Sequence, residues 1–110
     1  DIMKYCVINC TFPNKEDAIR VTKELINKKL IACCNIISGI TSLYVWKNEL
    51  KEDEEVLAVM KTRLELFKKV RVEIKKLHKY ETPEIIAVPI EAVNDDYAKF
   101  IDEQTDDGKK

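Results

Sequence analysis

At 110 residues, 45% of them hydrophobic, the chain has room for one domain with an ordinary core and none for a second. A formal net charge of -1 and a pI near 5.9 leave no overall basic field to hold a phosphate backbone, so nucleic acid is not an expected partner. No apolar window approaches the roughly 20 residues that cross a bilayer, and the start Asp1-Ile2-Met3-Lys4 has no apolar signal core. The expectation is a soluble, cytoplasmic protein without a membrane partner, a removed leader being the one feature that would leave no trace.

The first strand is Tyr5-Cys6-Val7-Ile8-Asn9-Cys10, apolar in both parities and ended by Pro13. Asn14 then reads as an N-cap, with Glu16 and Asp17 in a first turn rich in acid, as the helix dipole prefers. Ala18, Val21, Leu25, Ile26 and Leu30 recur at helical spacing, so an amphipathic helix is expected from about Lys15 to Lys29. A long second strand follows from Ala32 to Trp46, and Gly39 inside it predicts a bend or bulge. The polar block Lys47 to Glu54 is expected as a hairpin tip, with Glu55 to Lys61 returning as the third strand. Thr62-Arg63-Leu64-Glu65 has the form of a capping box opening a second helix, whose stripe is Leu66, Phe67, Val70, Ile74 and Leu77. His78 to Glu84 is a turn, and Ile85 to Ile90 is a continuous apolar run bounded by Pro83 and Pro89, which fits a buried strand. Asn94 caps a short last helix carrying Tyr97, Phe100 and Ile101. The domain is expected to span 1–104, leaving 105–110 as a frayed polar tail.

Strand, helix, strand, strand, helix, strand and a small helix is the α+β, ferredoxin-like βαββαβ plan, with the first and third strands central after two right-handed crossovers. Both main helices then cover one face. The uncovered face should turn polar if it met water, yet Val56 to Met60 and Ile85 to Ile90 offer no polar parity. The second strand with Tyr44 and Trp46 also projects beyond strands of the usual 5 or 6 residues. A homo-oligomer is therefore expected, closed by symmetry.

The four cysteines, Cys6, Cys10, Cys33 and Cys34, all lie in the first third with no C-x-x-C pair, which suits reduced thiols better than a disulfide framework. The topology brings Cys10, near the exit of the first strand, and His78, just before the fourth, to one end of the sheet. Thiolate with imidazole suits copper or zinc rather than magnesium or calcium.

Taken together, Leu30-Ile31-Ala32-Cys33, Thr41 to Trp46, Glu55-Val56-Leu57 leading to Lys61-Thr62, and His78 to Ile86 make the chain similar to the CutA family of divalent-cation tolerance proteins. The resemblance covers roughly Cys10 to Ile101. It implies a ferredoxin-like subunit in a tight homotrimer, clefts between subunits, and weak binding of copper or another divalent cation that folding does not require. It also implies a link to metal tolerance in bacteria and to acetylcholinesterase anchoring in animals, with no enzymatic reaction. The copper-ligand cysteine falls on Cys10 and the histidine ahead of Tyr-x-x-Pro-Glu on His78. Leu77 stands where some members carry a second histidine, Asn48 where a glycine is usual, and Phe100 where a tryptophan is usual.

Each assignment has a plainer alternative. Cys6, Cys33 and Cys34 read first as small core residues, and Cys10 shares that reading. The His78 ring could instead cap the second helix by bonding its terminal carbonyls. Tyr44 and Trp46 suit interface packing. Glu55, Lys61, Tyr80 and Glu84 suit either an intersubunit pocket or structural ion pairs. A ferredoxin-like acylphosphatase would need an arginine in a glycine-rich loop where Cys10-Thr11-Phe12-Pro13-Asn14 stands. An RNA-recognition sheet would need aromatics on the third strand, and a metallochaperone two cysteines after the first strand. The alternatives to a copper-type tolerance protein are a PII-like signalling trimer with a small molecule in its intersubunit cleft, and a structural trimer anchoring a partner protein.

Overall fold

Alternation along the first strand decides which side of the sheet becomes core. In the computed structural model, which describes residues 4–106, β1 (Tyr5–Phe12) buries Cys6, Ile8, Cys10 and Phe12 on one side. Its partner β3 (Glu49–Arg63) presents Val56, Ala58, Met60 and Thr62 in register with them. With β2 (Cys33–Trp46) and β4 (Ile85–Pro89) these strands form one antiparallel sheet of order β2-β3-β1-β4, so the first and third strands are central as expected.

Two helices close this side. In α1 (Lys15–Asn27) the Asn14 side chain accepts the Asp17 N–H at 2.8 Å, as its position predicts, and Ala18, Val21 and Leu25 reach the core. From α2 (Phe67–Leu77) come Val70 and Ile74. Lys28, the C-cap of α1, meets the Glu73 carboxylate of α2 at 2.5 Å. The fold is the α+β, ferredoxin-like sandwich that the element order implies.

The structure corrects the sequence reading at four places. Thr62 opens no capping box: it stays in β3, fully buried, and its hydroxyl donates to the Leu30 carbonyl at 2.7 Å, while a 3₁₀ turn (Leu64–Leu66) leads into α2. The hydroxyl is thus engaged in tying the segment after α1 to β3, and is not available to the free N–H groups at the start of α2. The hairpin tip is not eight residues but two. Lys47 and Asn48 turn the chain with φ of 51° and 67°, and Glu49 to Glu54 already pair in β3 against β2. Charged side chains do not prevent this, because the ladder is made by the backbone and these residues stand exposed except half-buried Lys51. The His78 ring caps no carbonyl of α2. Arg20 Nη2 instead donates to the Leu77 carbonyl at 3.1 Å. Nor is Thr105 frayed: it is buried, accepts from Arg63 Nε at 2.9 Å, and is followed by Asp106, whose N–H meets the Lys29 carbonyl at 2.9 Å. Residues 107–110 of the expected tail lie outside the described residues.

Gly39, at φ +79°, sits in the register shift between Ile37 and Ile40, the bulge its position predicts. Beyond it β2 and β3 run on as a two-stranded arm, and the molecule measures 45 × 25 × 22 Å. On the side away from α1 and α2, α3 (Asp95–Gln104) covers one end of the sheet. Its Ile101 is fully buried, and Asp102 accepts from the Tyr5 hydroxyl at 2.9 Å. The rest of that face shows Ile37, Ile86 and Val88 about half exposed, and the arm shows Leu43, Val45 and Leu50.

Candidate functional site at the base of the arm

His78 organises this end of the molecule. Its Nε2 lies 2.8 Å from the Thr11 carbonyl, which can only accept, so the ring proton is on Nε2. Nδ1 is then bare and accepts the Tyr80 N–H at 3.0 Å. The ring stacks on Phe12, centroids 4.5 Å apart, with Tyr80 tilted against it at 4.8 Å. Burial lowers its pKa, opposed by the Thr11 carbonyl and the charges of Asp17 and Glu55, while Arg20 lowers it further. The histidine is a neutral clasp between β1 and the turn from 78 to 84.

The clasp sets Tyr80 against β3. The Tyr80 hydroxyl donates to Glu55 Oε2 at 2.6 Å, and Glu55 is only 8% exposed. Desolvation and the adjoining carboxylate push the phenol well above its ordinary value. Between this turn and the arm lies a cleft of about 580 Å³, within the range of small-molecule sites. Five residues expected at a contact or pocket between subunits line this cleft within the single chain: Tyr44, Trp46, Glu55, Tyr80 and Glu84. Tyr44 donates its hydroxyl to Asp53. Lys61 does not join them. It lies six residues along β3 from Glu55, roughly 20 Å at strand rise, and its ammonium pairs with Asn35. Thr11, Ser42, Leu43, Lys79, Glu81 and Thr82 complete the cleft and were missed. Lys79, Glu81 and Thr82 lie inside the turn already singled out, so following that whole turn would have found them. Nothing in the sequence signals Phe12 as the stacking partner of His78.

Cys10 and His78 do converge, on the Thr11 carbonyl, which also receives the Cys10 thiol at 3.8 Å. Their chemistry there does not suit a resident ion. Cys10 has no exposed surface, and burial, with Glu84, Cys34 and Glu55 nearby, pushes its thiol up to about 12, whereas metals bind thiolate. Both nitrogens of His78 are in use. Among the described residues no three His, Cys, Asp or Glu side chains are grouped to hold a metal ion. Cys6, Cys33 and Cys34 are free thiols, Cys6 buried and the other two half-buried.

A ferredoxin-like sheet extended by a two-stranded arm, with an acidic, aromatic cleft at its base, defines a small α+β subunit with apolar surface left uncovered. The family model described as CutA1 divalent ion tolerance protein matches residues 6–104, and the chain belongs to that family. It is 40% identical over 99 residues to the divalent-cation tolerance protein CutA of Thermus thermophilus, covering 90% of this chain and 96% of that one. The CutA protein of Pyrococcus horikoshii is 39% identical with the same coverage. The crystal structure of CutA1 from Oryza sativa superposes with a TM-score of 0.92 at 36% identity, over 96% of each chain. Relatives carry different compartment names: a rice protein is called chloroplastic and an Archaeoglobus fulgidus structure is titled periplasmic. Among the described residues no helix is long and apolar enough to cross a membrane.

Proposed function

We propose that this chain works as a homotrimeric, non-enzymatic divalent-cation tolerance protein of the cytoplasm, whose working site is the cleft between the arm and the turn from Lys79 to Glu84. The observation that carries the cleft reading is the 580 Å³ volume walled by Tyr44, Trp46, Glu55 and Tyr80, with Glu55 held nearly out of water. Small-molecule sites combine such apolar walls with a few placed polar groups. Self-assembly is supported by the outward apolar surface: Leu43, Val45 and Leu50 on the arm are each about two-thirds exposed or more, and Ile37, Ile86 and Val88 on the sheet are about half exposed. Large apolar surface left open to water marks an interaction site. Sedimentation at micromolar concentration tests this, the expected species having about three times the 12.8 kDa mass of one chain. A stable, well-folded single chain would overturn it.

Copper or a similar ion held weakly by Cys10 and His78 is the second reading, favoured by their shared approach to the Thr11 carbonyl. It requires the buried thiol to ionise and the ring to release Thr11 or Tyr80, so the cleft reading stands ahead of it. Thermal-shift screening separates them, since a ligand stabilises the fold in proportion to the logarithm of its concentration over its dissociation constant.

A further inference from the structure

The cleft has a sign. Glu55, Glu81 and Glu84 line it against a single lysine, Lys79, whose ammonium lies 3.3 Å from Asp17 Oδ1 and is already paired. A phosphate or carboxylate ligand would meet three like charges with no uncommitted cation to offset them. The walls have a sign as well, because Tyr44, Trp46 and Tyr80 carry rings whose faces are negative, and a cation over such a face is attracted. Glu55 adds a carboxylate at 8% exposure, where surrounding protein strengthens its field, and the Tyr80 hydroxyl takes only one of its roughly four acceptor positions. The volume exceeds what a bare metal ion fills, and the described side chains form no three-donor metal group.

Resting on the reading of this cleft as the ligand site, we infer that it takes a small organic cation, a primary or quaternary ammonium compound, seated against the aromatic walls with its charge toward Glu55. Trp46, the only tryptophan of the chain, reports on the cleft directly. The purified full-length protein is titrated with tetramethylammonium chloride, with tert-butanol as an uncharged molecule of similar shape, with sodium citrate as an anionic probe, and with sodium chloride as a salt control. Trp46 fluorescence is followed throughout. The expected result is a saturable change with tetramethylammonium alone, at least tenfold weaker in Glu55→Gln, which keeps an acceptor for Tyr80. Glu84→Gln, at an exposed position, is expected to weaken it about threefold. Saturation by citrate without tetramethylammonium would overturn the cation while leaving the cleft a ligand site. No saturation by any probe would overturn both. Equal affinity in the parent, Glu55→Gln and Glu84→Gln would overturn the placement of the charge.

Discussion

On the helix side of the sheet Ile8, Ala58 and Met60 are completely buried, whereas on the other side the same or adjoining strands turn Ile37, Ile86 and Val88 half into water. The residue types are alike. The difference lies in what covers them: α1 and α2 seal the first face, while α3 seals only one end of the second. One chain can thus satisfy one face of a sheet apolar on both sides, and the remainder is left as exposed apolar surface. The cleft sits where the two regimes meet, its clasp reaching the core at Phe12 and its arm lying outside.

The sharpest way to test this division is to remove the same side chain from each face. Ile8→Ala is expected to cost about 3 kcal/mol of folding stability, read by urea unfolding, since it opens a cavity in packed core. Ile86→Ala should leave a single chain's fold nearly unchanged and act on self-association in sedimentation. A smaller effect is expected at the boundary: His78→Ala removes the stacking on Phe12 and two hydrogen bonds, at a cost of about 1–2 kcal/mol.

The same clasp predicts a pH dependence. The folded pKa of His78 is lowered, so below its unfolded value of 6.5 the unfolded chain binds the proton first. The contribution of the neutral ring is full above that value and is lost as pH falls through the folded pKa. Thermal unfolding from pH 7.5 downward should show the decline, and His78→Gln should flatten it. On the arm, Asn48→Gly is expected to raise stability by up to about 1 kcal/mol, because glycine adopts the positive φ of this turn without strain. At the bottom of the scale, Cys10→Ser and His78→Ala should leave calorimetric copper uptake unchanged, given the neutral buried thiol and the occupied ring; a large loss would restore them as ligands.

Local signals were read well where the residue and its partner are neighbours in sequence. Asn14 lies three positions from the N–H it caps, and Gly39 sits in its own bulge. Thr62 was misread because its partner, Leu30, is thirty-two residues away and outweighed the local capping pattern. The arm was underestimated because polarity at Glu49 to Glu54 signals exposure, not loss of strand. Five of the six residues expected between subunits line one cleft of the single chain, and β3 carries Lys61 to the far end.

By itself the sequence determined the order of the main elements and the membership of a family, since these follow from periodicity and from residues close together along the chain. Only the tertiary structure decided that Cys10 would face the core, that His78 would lock a turn instead of capping a helix, and that three carboxylates would share a cleft with three rings. Those outcomes depend on which distant groups compete for the same hydrogen bond or the same volume, and that competition is settled in space.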